Sequence, residues 1–362
     1  MDVRPVIRQV ERRAEEVRAP GRRLSGVRRL VIVRHDRLGD LVLTLPAIDA
    51  LCRTYPDAEC GLVVSPAARS VAERVTGISR VCDVPPGARG LGAWLEEFRP
   101  DLVVCVSRSL GPAWASWRAG IPHRVGTGHR VWSWLFDRRV HEHRRSGGRH
   151  EVEYALSFAH RAGACPGPPR FPIDIEPSAA AAVEAWLAAH RVEGRFVVLV
   201  PGSGGSCPRW PVRHHAGLAA RLRAAGVAVV VNAGPEDTAV VGEFQAAPQS
   251  REVPVFRGGA VELVALVERA ALVVGSSTAP IHVAAARGIP ALALHAPWSS
   301  CGAARWGPYH ERGFIIVPEW EAAHSWSARE RRRRGAALLG TVAPEVVAGA
   351  ALDILEGRPP RV

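Results

Sequence analysis

The stretch LVIVRHDRLGDLVLTLPAIDALCRT, residues 30–54, decides how the rest of the chain is read. It opens with the short apolar run LVIVRH (30–35), passes through the turn DRLGD (36–40), and continues from Leu41 to about Thr54 as a helix-like segment. A short apolar run feeding a turn and a helix is the start of a βα unit. The pattern repeats downstream. GLVV (61–64), a helix from about Pro66, VCDV (81–84) and DLVVCV (101–106) continue the series. Runs of four to six apolar residues alternating with helices predict a parallel sheet covered on both faces.

The rhythm breaks between His141 and Pro177, where HEHRRSGG is followed by CPGPPRFP. Concentrated Pro and Gly place an interdomain link near 165–177. A second series follows: RFVVLV (195–200), VAVVVNAG (227–234), VPVF (253–256), LVVGSS (272–277) and PALALHA (290–296). The expected organisation is an N-terminal arm (1–26), a first Rossmann-like domain (27–172), a second (173–340) and a C-terminal helix (341–362) that packs back on the first domain. In the arm, Val3, Val6, Ile7, Val10, Ala14 and Val17 fall at helical spacing among arginines, which predicts a basic helix. In open α/β sheets ligands bind beyond the carboxyl ends of the strands, so the loops after residues 35, 200, 234 and 277 are the candidate site.

Composition excludes several classes. The 362 residues are 47% apolar and 23% charged, which suits two folded domains and not a disordered chain. No apolar run approaches the roughly 18–20 residues of a membrane span, and the charged N-terminus lacks the apolar centre of a secretory signal. A cytoplasmic protein is expected. All 47 cations are arginine, the net charge is +12, and the pI is near 10.6. With no lysine, one asparagine and one methionine, this composition reads as codon bias before it reads as function, so no specific nucleic-acid partner is expected. Seven cysteines without a C-x-x-C pair predict buried, reduced thiols. Core packing is the default for Trp94, Trp114, Trp117, Trp132 and Trp134.

Three loops carry chemistry. In PGSGGSCPRW (201–210) Gly202, Gly204 and Gly205 let the backbone approach a ligand, Ser203 and Ser206 add hydroxyls, and Arg209 offers a fork for phosphate. The loop lacks the Lys-Ser/Thr ending of a P-loop. In GSSTAPIHVAAARG (275–288) Ser277, Thr278 and Ala279 precede Pro280 at a helix start, where exposed N–H groups favour a diphosphate; N-capping by Ser277 or Thr278 is the other reading. In DRLGD, Gly39 permits a tight turn, Asp36 suits turn formation, and Asp40 enters the first turn of a helix, where it either complements the dipole or faces a ligand. His141, His143 and His150 have no partner carboxylate or cysteine at ligand spacing, and no Asp-x-Asp pair occurs, so no metal site is expected.

Five blocks together, VIVRHDRLGDLVLTLPAIDAL (31–51), LVPGSGGSCPRWP (199–211), VVNAGPED (230–237), GSSTAPIHVAAARGIPALALHAP (275–297) and RWGPYHERG (305–313), resemble the heptosyltransferase-type glycosyltransferases of family 9. The resemblance spans about 28–356 and includes His150 just before a helix. It implies α/β domains of GT-B architecture, two Rossmann-like sheets facing across a cleft, with the acceptor in the first domain and the nucleotide in the second. It also implies inverting, metal-independent transfer of a heptose or related sugar from an ADP- or other NDP-sugar. No cofactor is implied beyond that co-substrate.

Carried over by position, Asp40 is the candidate general base, with Arg37 and Gly39 in the acceptor-side loop. Ser203, Gly204, Arg209, Glu236, Asp237, Ser277, Thr278, Ala279 and His282 form the donor side. Pro208, Ser277 and Ala279 depart from the family's usual Lys, Asp and Gly, and Arg209 stands one residue from the missing Lys. The acceptor is a saccharide, a lipid-linked saccharide or a secondary metabolite. The basic arm is a candidate contact for an anionic membrane at its inner face. An NDP-sugar epimerase-type enzyme, or a non-catalytic sugar-nucleotide-binding protein, is the alternative on the same fold.

Overall fold

Residues 30–33 are fully buried, and most of the described strand residues are buried too, as strands covered on both faces require. The computed structural model describes residues 2–5, 22–84, 90–142, 148–165, 167–205, 207–298, 301–319 and 327–360. Its strands are β1 (Asp2–Pro5), β2 (Arg29–Arg34), β3 (Glu59–Val64), β4 (Arg80–Asp83), β5 (Leu102–Cys105), β6 (His123–Thr127), β7 (Arg138–Val140), β8 (Phe196–Val200), β9 (Ala228–Asn232), β10 (Val255–Phe256), β11 (Leu272–Ser276), β12 (Ala291–Leu294) and β13 (Gly313–Val317). They form two sheets, ordered β4-β3-β2-β5-β6-β7 and β1-β13-β12-β11-β8-β9-β10.

The first sheet is parallel throughout. It belongs to a unit spanning Arg13–Asp174. β2 lies between β3 and β5, so the loops after β2 and β5 are neighbours at the carboxyl edge. The predicted helix from Leu41 to Thr54 is two helices, Leu38–Val42 and Leu45–Thr54, with Thr44 at the junction, its hydroxyl donating to the Asp40 carbonyl at 2.8 Å, and Pro46 in the first turn of the second. Gly39, read as a turn residue, sits inside the first of these helices.

The second unit comprises Met1–Arg12 and Ile175–Val362. Six of its strands run parallel. The seventh, β1, adds antiparallel to β13, with Val3 opposite Ile316. This corrects the helical reading of the arm at Val3. An unpaired edge offers the segment a ladder of backbone partners, and Pro5 is tolerated because an edge strand can spare an N–H. Val6, Ile7, Val10, Ala14 and Val17 lie outside the described residues. The chain passes between units after a tie to the first one. Ile173 bridges Val75, and the Asp174 N–H donates to the Arg74 carbonyl at 2.9 Å.

The C-terminal helix also departs from expectation. Pro344–Leu355 packs within the second unit, where Val347, Ala350, Ala351 and Ile354 share a core with Trp210, Leu222 and Leu292. Its alanines, and Gly217 on the facing helix Val212–Ala224, allow close approach. Burying each large apolar side chain there contributes about 1.5–3 kcal/mol. All seven cysteines are free thiols; Cys60 and Cys105 are buried, but Cys165 is exposed. Trp94 stacks on Phe98 at 5.0 Å, as a packed residue should. Trp114, Trp117 and Trp134 are exposed instead. The helix Leu110–Arg118 buries its Pro112, Ala113 and Ser116 side, which turns the tryptophans outward.

Candidate active site

Arg34 ends β2 and is the electrostatic centre of the first unit. Its guanidinium is 3% exposed and faces three carboxylates: Asp40 at 2.5 Å, Glu151 at 3.2 Å and Asp36 at 3.3 Å. Glu151 is the first residue of the helix Glu151–Arg161 and is buried as deeply. Burial disfavours the charged guanidinium, and the Asp40, Glu151 and Asp36 charges overcome that, so its pKa rises further above the ordinary arginine value. Asp40 therefore does more than complement a helix dipole. One oxygen receives Arg34, the other accepts the Arg37 N–H at 3.3 Å, and the residue stays partly open to solvent.

The rest of this edge is polar. Ser109 Oγ and His35 Nε2 lie 3.0 Å apart, joining the loops after β5 and β2. Burial, then the Arg34 charge, lower the pKa of His35 against the pull of Asp36, which keeps its imidazole neutral. Buried Ser107 Oγ and His35 Nδ1 have no hydrogen-bond partner among the described residues. Orphaned polar atoms cost about 1–3 kcal/mol each, so a ligand hydroxyl that met them would relieve a standing penalty. His150 caps the next helix through Nδ1, which accepts the Val152 N–H at 3.2 Å. His141 contacts His129 edge-on at 5.5 Å, and His143 lies outside the described residues.

In the second unit the candidate loops converge by topology. β8 lies between β11 and β9, so the segments 201–210, 233–237 and 277–279 leave one edge side by side. Trp210 ties two of them: its backbone N–H donates to Ser276 Oγ at 3.2 Å, and its buried ring donates Nε1–H to the Val342 carbonyl at 2.9 Å. Asp237 ties the third. Its carboxylate accepts the Gly234 N–H at 2.9 Å and occupies the space a Cβ on Gly202 would need, so residue 202 must be glycine. That makes Asp237 a loop brace, while Glu236 beside it is exposed.

Ser203 and Ser277 are buried, Gly204 is exposed with φ +53°, and Ser206 lies outside the described residues. Thr278 and Ala279 begin the helix Ala279–Ala286, with Pro280 in its first turn and His282 buried on it. No side chain caps this helix; Thr278 Oγ1 instead donates back to the Ser276 carbonyl at 3.3 Å. Pro280 has no N–H to offer and the Ile281 N–H donates to the Thr278 carbonyl at 3.1 Å, so the N–H groups of Thr278 and Ala279 are the ones left for a ligand, against the N-capping reading. Arg209 sits 3.7 Å from Glu243, both exposed, a surface pair worth little and easily exchanged for phosphate. Pro208, in place of the family's usual lysine, packs under the helix Ala328–Leu339: a Cβ on Gly335 would lie 2.5 Å from its ring.

Residues 89–333 match the family glycosyltransferase family 9 (heptosyltransferase). The chain belongs to that family. Lipopolysaccharide heptosyltransferase 2 of Escherichia coli K12 is 25% identical over 295 residues, covering 75% of this chain and 83% of the relative. The crystal structure of a family 9 glycosyltransferase from Veillonella parvula superposes with TM-score 0.76 at 20% identity, over 91% of this chain and 97% of that one. The E. coli ADP-heptose lipopolysaccharide heptosyltransferase II structure gives 0.73 at 19% identity, over 91% and 99%. These two structures establish the fold, two Rossmann-like α/β domains of GT-B type. As a family 9 member the protein is a glycosyltransferase, which decides against the epimerase and non-catalytic alternatives.

Four residues at the edge of the first sheet escaped the sequence reading: Arg34, Glu151, His35 and Ser107. A lone arginine inside the run LVIVRH was the available signal, because a charge in a buried strand must be paired.

Two further buried histidines of this family 9 chain set a pH dependence. Burial pushes His215 and His295 down to about 4, and hydrogen bonds to the Pro211 and Cys301 carbonyls only partly offset this. Both are neutral when folded and gain protons on unfolding near 6.5. Stability they contribute is therefore complete above pH 6.5 and declines toward pH 4, by about 3 kcal/mol for each. Denaturant midpoints measured from pH 7.5 to 4.5 should begin falling near 6.5, above the carboxylate range, and His215→Gln should flatten the slope. A midpoint constant down to pH 5 would contradict it.

Proposed function

We propose that this family 9 glycosyltransferase moves a heptose, or a related sugar, from an ADP- or other NDP-sugar onto an acceptor hydroxyl, with inversion and without a metal or further cofactor. The carrying observation is the Asp40 carboxylate, held by buried Arg34 at the carboxyl edge of the first sheet yet still reachable by solvent. Asp40 takes the proton of the acceptor hydroxyl as that oxygen attacks the anomeric carbon. The bond between this carbon and the β-phosphate oxygen breaks, and the nucleoside diphosphate departs with the electron pair. The backbone N–H groups of Thr278 and Ala279, together with Arg209, are suited to the charge that develops on it. Ser203, Gly204 and Ser277 line the same loops, His282 stands on that helix, and exposed Glu236 is the acid suited to donor hydroxyls. Asp237 is assigned the bracing role instead.

The acceptor is a saccharide, a lipid-linked saccharide or a secondary metabolite whose hydroxyls pair with Ser107 and His35. Among the described residues no single helix is long and apolar enough to cross a membrane. We place the reaction in the cytoplasm, at or near the inner membrane face.

Calorimetry with ADP and turnover of ADP-heptose in EDTA test the reading together. ADP should bind, Arg209→Ala should weaken binding by about 1.5–3 kcal/mol, and chelation should leave turnover intact. Absence of binding by ADP, GDP and UDP at millimolar concentration would remove the nucleotide site. Activity abolished by EDTA and restored by Mg²⁺ or Mn²⁺ would remove the metal-free mechanism.

A further inference from the structure

Among the described residues, the large apolar side chains left exposed are Leu110, Trp114, Trp117, Val131 and Trp134, from 42% to 93% open. All five come from two segments of the first unit, the helix Leu110–Arg118 and the short 3₁₀ helix Val131–Leu135. The tryptophans form a continuous surface: Trp114 and Trp117 lie 5.1 Å apart, and Trp117 meets Trp134 edge-on at 5.8 Å. Scattered exposed hydrophobics are ordinary, whereas their concentration in one place marks a binding surface.

The rim is basic. Segments 108–118 and 129–139 carry Arg108, Arg118, Arg130, Arg138 and Arg139 against one acid, Asp137. Both segments follow strands of the first sheet, β5 and β6, and Ser109 is joined to His35 of the Asp36–Asp40 loop. The patch therefore begins at the edge that carries Asp40.

From this arrangement we infer that the Trp114–Trp117–Trp134 surface is a docking face for an anionic lipid bilayer. Tryptophan has an apolar body and a polar N–H, the combination enriched at the boundary between headgroups and hydrocarbon. Arginines around it add attraction to anionic headgroups. The same excess of arginine disfavours a second copy as the occupant, because a two-fold interface would bring like charges of both copies together. Docking through this face would hold the Asp40 edge at the surface where a lipid-linked acceptor is presented. It assigns membrane contact to the tryptophans and not to the basic arm.

The test uses the full chain, with neither donor nor acceptor, so its outcome is separate from that of sugar transfer. Vesicles of phosphatidylcholine alone and of phosphatidylcholine with phosphatidylglycerol are the probes, and flotation is the readout. Wild type should float with the anionic vesicles and much less with the neutral ones. Trp114→Ala/Trp117→Ala/Trp134→Ala should weaken anionic binding about tenfold or more. Arg118→Glu/Arg130→Glu should weaken it without touching the tryptophans, and circular-dichroism melts check that each variant folds. Brominated lipids should quench wild-type tryptophan fluorescence, which tests insertion with no substitution at all. Failure of wild type to float, flotation unchanged in the triple variant, or loss of wild-type self-association in that variant would each overturn the inference.

Discussion

Asp40→Asn lowers turnover by roughly 10²–10⁴-fold while nucleotide affinity is unchanged and the melting temperature barely moves. The side chain keeps its size and can still accept a hydrogen bond from Arg34, but it cannot take a proton. Stability is spared because Arg34 retains Glu151 at 3.2 Å and Asp36 at 3.3 Å. Nucleotide affinity is spared because the loops that would hold it belong to the other unit. Single-turnover kinetics with saturating donor measure the chemical step directly. A variant keeping more than about a tenth of wild-type turnover would take Asp40 out of the base role. Asp36, also paired with Arg34 and more exposed, would be examined next.

Arg34→Met has the second large effect, on folding as well as catalysis. Removing one partner of a buried ion pair costs about 3–5 kcal/mol, because the uncompensated charge stays behind. Here Glu151, 1% exposed, and Asp40 would both lose the Arg34 guanidinium. Protonation relieves such a charge, so the deficit should shrink as pH falls toward the carboxylate range, opposite in sign to the effect of the buried histidines. Urea denaturation of wild type, Arg34→Met, Glu151→Gln and the double variant closes a cycle. The double variant should recover part of the loss. A loss under about 1 kcal/mol in Arg34→Met would mean the cluster is solvated and its pairing weak.

Much of this architecture is legible in the chain because buried parallel strands write themselves as short apolar runs. LVIVRH, DLVVCV, RFVVLV and LVVGSS all fall on strands within a residue or two. The ligand-facing loops are legible for the same reason, since they follow those runs. What escaped depends on distance in sequence. Arg34 meets Glu151 across 117 positions, and Ser276 meets Trp210 across 66. Asp237 has the composition of a ligand-binding acid, and only its packing against Gly202 shows that it braces a turn. The tryptophans escaped because an apolar residue at helical spacing reads as core. Helix Leu110–Arg118 spends its small residues on the sheet and its large ones on solvent.

The pairing of β1 with β13 bears on the order in which the chain is completed. Val3 is synthesised more than three hundred residues before its partner Ile316. At roughly 5–20 residues per second that is a wait of about 15–60 s. Throughout it the leading strand has no ladder to join, whereas the sheet of Arg13–Asp174 is complete within its own stretch of chain. The contact closes a loop of more than three hundred residues, and contacts of such separation form late. Until it closes, the nascent GFIIV edge is a bare, uncharged strand of the kind that templates pairing with other chains. A segment of four residues thus acts as an edge seal, made long before the strand it covers and among the last put in place.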